Sequence, residues 1–110
     1  MKLITKEIER KLAKNPLYSG EKKSPEEREV LVKFFYPYGR GTWYVLEAEK
    51  DEDGDWLFFG LVDLHERELG YFRLSELQSV RKFGRPAIER DKWYGKHTLA
   101  EVQAGDLSAS

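Results

Sequence analysis

The sequence predicts an α+β domain: an antiparallel β-meander sheet of four to five strands, an N-terminal helix, and one or two short helices. Three observations predict it. Residues 30–36, 42–49 and 56–62 are rich in β-branched and aromatic side chains, the composition of strands. The connections between them carry hairpin chemistry: two glycines after a proline in Pro37-Tyr38-Gly39-Arg40-Gly41, and Asp53-Gly54 in the second. The first fifteen residues carry a helix start, an apolar stripe and a stop.

That first element opens at Thr5, a capping residue, and shows Ile8 and Leu12 on one stripe up to about Lys14. Asn15-Pro16 ends it, because a residue before proline avoids helical backbone. Residues 17–29 are mostly polar, with Leu17 and Tyr18 expected to tuck in. Ser24-Pro25-Glu26-Glu27 reads as a capped single turn. In the second strand Thr42, Tyr44, Leu46 and Ala48 alternate with Trp43, Val45, Glu47 and Glu49, so each set should share a face. The third strand is apolar on both faces and is expected inside the sheet.

Beyond a polar linker at 63–68, residues 69–74 read as a fourth strand. Ser75-Glu76-Leu77-Gln78 supplies a second capping box for a short helix ending near Val80. Residues 81–86 break that helix, 87–93 are expected to return to the sheet edge, and 98–102 to form a last helical turn. The predicted domain covers 1–103, and 104–110 reads as a flexible tail. The predicted core contains Val32, Phe34, Tyr44, Leu46, Phe58, Leu61 and Phe72.

Composition narrows function mainly by exclusion. A chain of 110 residues, 40% hydrophobic, is one domain with a real core. A net charge of −1 gives no global attraction to nucleic acid or anionic lipid. The absence of cysteine removes disulfides, thiolate nucleophiles and Cys-based metal sites. MKLITKEIERKLAKN lacks a signal-peptide core, and no run reaches transmembrane length, so a cytoplasmic protein without a membrane partner is expected. His65 and His97 lack ligand partners at metal-site spacing, and no nucleophile elbow or phosphate loop is present. Neither catalytic residues, nor a metal, nor a cofactor is expected. An enzyme acting at residues 63–68, around His65, Glu66 and Glu68, is a third reading only.

Local charge is more informative. Residues 47–63 hold seven acids and one base, a local −6, whereas 81–96 hold six bases and two acids, a local +4. The acidic stretch makes Glu47, Glu49, Asp51, Asp53 and Asp55, with nearby Trp43, candidates for docking on a protein partner. A role in counter-defence through mimicry of phosphates fits that charge. The basic stretch makes Arg81, Lys82, Arg85, Arg90, Lys92, Trp93 and Lys96 candidates for contacting nucleic acid by charge and stacking. Solvated surface is the plain alternative for both.

Several segments in order resemble one bacterial family. They are Leu17-Tyr18-Ser19, Val32-Lys33-Phe34-Phe35, Thr42-Trp43-Tyr44, Leu57-Phe58-Phe59-Gly60-Leu61-Val62, Glu68-Leu69-Gly70-Tyr71-Phe72, Leu74-Ser75-Glu76-Leu77 and Ile88-Glu89-Arg90-Asp91. The family is domain of unknown function 2958, and the likeness runs from Leu3 to about Val102. The resemblance implies a small stand-alone protein of the kind encoded on plasmids and integrative elements. It brings no catalytic residues to carry over. Asp63-Leu64-His65-Glu66-Arg67 departs from the pattern, so His65 is individual to this chain.

Overall fold

The computed structural model describes residues 2–105. In chain order it contains helix α1 (Lys6–Ala13), a 3-10 turn (Pro25–Glu27), and strands β1 (Val32–Phe35), β2 (Thr42–Lys50), β3 (Trp56–Asp63) and β4 (Arg67–Arg73). Helix α2 (Leu74–Ser79), strands β5 (Arg81–Lys82), β6 (Arg85–Pro86) and β7 (Glu89–Arg90), and helix α3 (Leu99–Gln103) follow. Five strands form one antiparallel sheet in the order β4-β3-β2-β1-β7. The meander and the α+β class are therefore as the sequence predicts. β3 lies inside the sheet, and β7 returns to its edge by pairing Arg90 with Phe34.

Local signals explain the helices. Thr5 Oγ1 accepts the N–H of Ile8 at 3.2 Å and fixes the start of α1. The Glu27 carboxylate accepts the backbone N–H of Ser24 at 3.0 Å, which holds the single turn at Pro25. Thr98 and Glu101 close a reciprocal box at the start of α3.

The sheet is covered on both faces, and each face has its own core. On one, Leu12 of α1 and Leu77 of α2 pack with Phe34, Val45, Phe58 and Phe72. The Phe58 ring is fully buried between Phe34 and Phe72, with centroids 6.0 and 5.4 Å away. On the other, Leu99 and Val102 of α3 pack with Tyr94 on Tyr44, Leu46 and Leu61. All seven expected core residues are buried.

The strict alternation expected along β2 is corrected by a bulge. Val45 pairs with Gly60, but the next pair is Glu47 with Phe59, so Leu46 is the extra residue. The bulge is set from β3: a Cβ on Gly60 would lie 1.8 Å from the Tyr44 carbonyl oxygen. Beyond it the faces exchange. Ala48 joins Val45 and Trp43 in the first core, and Glu47 turns to the second face.

Smaller corrections follow from turns. Helix α2 begins at Leu74, capped by Glu76 accepting the Arg73 N–H at 2.7 Å, while the Ser75 hydroxyl donates to Asp55 instead. Residues 81–86 form a tight hairpin rather than a simple break. Tyr18 does not tuck in; it is 64% exposed and adopts φ 72°. Ala104 still belongs to the cap of α3, and the rest of the expected tail, from Asp106 on, lies outside the described residues.

Candidate functional site

The acidic candidates turn largely inward. Glu47 is 4% exposed and accepts the N–H groups of Tyr18 and Gly20 at 2.7 and 2.8 Å, with Arg28 Nη2 at 2.8 Å. Two peptide N–H groups and a guanidinium around one carboxylate make a filled anion nest. Glu47 thus anchors the 17–28 loop and presents no charge to a partner. Trp43 is also buried, in the first core, so both leave the expected docking surface.

The turn acids are engaged too. Asp51 accepts the N–H groups of Asp53 and Asp55 and an Nη1 bond from Arg73 at 2.8 Å. Asp55 accepts the Ser75 hydroxyl at 2.7 Å and the N–H groups of Trp56 and Ser75. Burial pushes the Asp55 carboxyl up, but the Ser75 and Trp56 hydrogen bonds and the Arg73 charge together hold it below its ordinary value. Asp63 is balanced the same way: burial raises it, and Arg40 and Arg67 bring it down further than burial lifts it. Glu49, Glu52 and Asp53 remain exposed.

The basic candidates divide into two groups. Arg81, Lys82 and Arg85 are exposed on the β5–β6 hairpin. Its turn residues, Phe83 at φ 55° and Gly84 at φ 74°, are both left-handed, as a two-residue hairpin turn demands. Phenylalanine is an unusual choice there, and it holds its ring 82% exposed at the tip. The Lys82 ammonium sits 5.1 Å from the Phe83 centroid and 5.8 Å from that of Tyr38. Tyr38 meets Phe83 edge-on at 6.0 Å, and Tyr36 meets Tyr38 at 5.7 Å. A ladder of three rings therefore descends from the hairpin tip to the end of β1.

The second group follows β7. Lys92, Trp93 and Lys96 are exposed, and Trp93, at 92%, stands out on a turn that Asp91 makes by accepting its N–H. Arg90 is not free: its Nη1 donates to the carbonyls of Lys2 and Leu3 and ties down the N-terminal segment. Lys92 and Lys96 border a cleft of about 570 Å3 with Lys11, whereas Arg81 borders another of about 530 Å3 with Lys2 and Lys6. The sequence run is continuous; the surface is not.

Sequence reasoning missed Tyr36, Tyr38, Lys2, Lys6 and Lys33. The signal was present for the first two, which flank a turn proline, and for Lys33, a lone charge in an apolar strand. Lys33 is 3% exposed, its Nζ lies 3.5 Å from Asp91 Oδ2, and it faces the rings of Tyr94 and Tyr44 at 5.1 and 5.8 Å. His65 is exposed on the bend after β3, and His97 stacks on Tyr94 at 4.3 Å. Among the described residues no three His, Asp or Glu side chains gather where they could hold a metal ion. Nor does any helix among them have the length and apolarity to cross a membrane.

These features define a small α+β protein with a two-sided core and an exposed basic, aromatic surface. The chain belongs to the family described as protein of unknown function DUF2958, whose model matches residues 3–104. No curated protein and no solved structure matches it.

Proposed function

We propose that the protein is a non-enzymatic accessory factor that binds single-stranded nucleic acid through the β5–β6 hairpin and the adjoining ring ladder. The observation that carries this reading is Phe83, a large apolar ring held almost wholly in water at a left-handed position, with Lys82 against it. Within the monomer the ring gains only the Tyr38 edge and the Lys82 cation, whereas a base stacked on it removes apolar area of both rings from water. Arg81, Lys82 and Arg85 supply phosphate contacts beside the rings, and Lys2 and Lys6 extend the basic rim. A bacterium carrying a mobile element is the setting this reading takes from the family resemblance. Docking on a protein through the acidic hairpin has weaker support, since only Glu49, Glu52 and Asp53 keep their charge free.

Fluorescence anisotropy with labelled single-stranded DNA and RNA, at low and moderate salt, tests the proposal. Binding that weakens with salt and falls in Phe83→Ala is expected. Absence of any complex at low salt with either polymer rejects it.

A further inference from the structure

Two charged side chains are buried among the described residues, and they are matched very differently. Glu47 has three donors within 2.8 Å. Lys33 has its carboxylate partner, Asp91, at 3.5 Å, well beyond the about 2.7–2.9 Å of a tight charge-assisted bond. That ammonium also lies 5.1 and 5.8 Å from the Tyr94 and Tyr44 ring centroids, and with three N–H donors it still has room for one closer acceptor.

Lys33 and Asp91 both wall a cleft of about 480 Å3 at the β1–β2 turn end of the second sheet face. That volume falls within the roughly 300–1,000 Å3 of small-ligand sites. Phe35, Tyr36 and Pro37 give it an apolar side, and Thr42 lines it from β2. Tyr36, the innermost ring of the Phe83–Tyr38–Tyr36 ladder, packs against the first core and also borders this cleft, so ladder and cleft meet at one residue. Each nucleobase is a flat ring whose hydrogen-bonding edge sets an acceptor beside a donor. Adenine and cytosine set an amino donor beside a ring-nitrogen acceptor, guanine and uracil a carbonyl acceptor beside a ring N–H, so a fixed ammonium–carboxylate pair against an apolar wall suits one order better than the other.

We propose that this cleft takes one unstacked base of the bound strand, Lys33 Nζ donating to its edge and Asp91 accepting from it. The inference rests on the single-strand reading above, and it adds that the protein discriminates among bases. Phosphates and ring stacking through the hairpin set affinity, and the cleft sets preference.

The test compares anisotropy titrations of adenine, cytosine, uracil and guanine oligonucleotides across four forms of the full chain. Wild type is expected to rank them with a spread of about tenfold, which one buried hydrogen bond to a charged group supports. Lys33→Met should compress the spread to about twofold or less, and Phe83→Ala should weaken all four while keeping their order. Thr42→Phe fills the cleft without touching the ion pair and should compress the spread as Lys33→Met does, which covers failure of the latter to fold. An unranked wild type, or a ranking kept in both cleft variants, overturns the inference and leaves the hairpin reading standing. In parallel, free 5′-monophosphates of the four bases are titrated by NMR. If no strand binds but they shift Phe35 and Tyr36, the cleft stands and the hairpin reading falls. If no strand binds and they leave both rings unmoved, the cleft falls too.

Discussion

The β2–β3 turn and the β5–β6 turn are both short hairpins dense in charge, yet they use that charge in opposite ways. Around the first, Asp51 and Asp55 accept backbone N–H groups, the Ser75 hydroxyl and Arg73, while Glu47 upstream closes on the 17–28 loop. Around the second, Arg81, Lys82 and Arg85 are exposed and stand beside an exposed ring. A carboxylate is short and finds peptide N–H groups wherever the chain turns, so acids near turns are readily absorbed by the fold. Long cationic side chains on a two-residue hairpin tip have no such neighbours. Charge density in sequence therefore marked two surfaces, but the local backbone decided which one stays available.

The comparison breaks most visibly at Glu47. Glu47→Ala leaves Arg28, the buried Gly20 N–H and the part-buried Tyr18 N–H without their acceptor and should cost about 3 kcal/mol in urea unfolding. A loss under about 1 kcal/mol would mean that the carboxylate is a solvated surface group after all. The counterpart on the basic side is Phe83→Ala. It should leave stability unchanged, because the ring is exposed, and should weaken single-strand binding roughly 5- to 150-fold by anisotropy.

Asp55→Asn is expected to cost about 1 kcal/mol at neutral pH by weakening the tie to the first turn of α2. The folded carboxyl lies below its ordinary value of 3.8, so its contribution is fully present above that pH. It is lost as pH falls through the depressed folded value. The stability gap between wild type and variant should accordingly close in acid; a gap that widens there would reverse the assignment. The smallest effects belong to Glu52→Ala and Asp53→Ala, each expected within about 0.5 kcal/mol, since these side chains face water.

Most of the sheet was legible because its strands are long, aromatic and separated by strong turn residues. Two features escaped. The bulge at Leu46 moved Glu47 to the opposite face, and its cause, the glycine at position 60, lies in the neighbouring strand. A glycine within an apolar strand signals such a close approach, but only pairing register shows where it acts. The β5–β6 hairpin escaped because Phe83-Gly84 lacks the Asn or Asp that usually announces a left-handed first position. For the candidate site, the bases and Trp93 were readable from the run 81–96. That Arg90 is tied to Lys2 and Leu3 was not, because the contact joins residues 88 and 87 positions apart.

The salt dependence of oligonucleotide affinity tests the contrast between the hairpins most directly. For wild type, the doubly reversed Arg81→Glu/Arg85→Glu and the doubly reversed Glu52→Lys/Asp53→Lys, log affinity is plotted against log salt concentration. Losing two phosphate contacts on a single strand should make the slope of the first variant shallower by about 1.4, and the second variant should match wild type. Equal slopes in all three, or a change confined to the acidic-hairpin variant, would contradict the assignment of the binding surface to β5–β6.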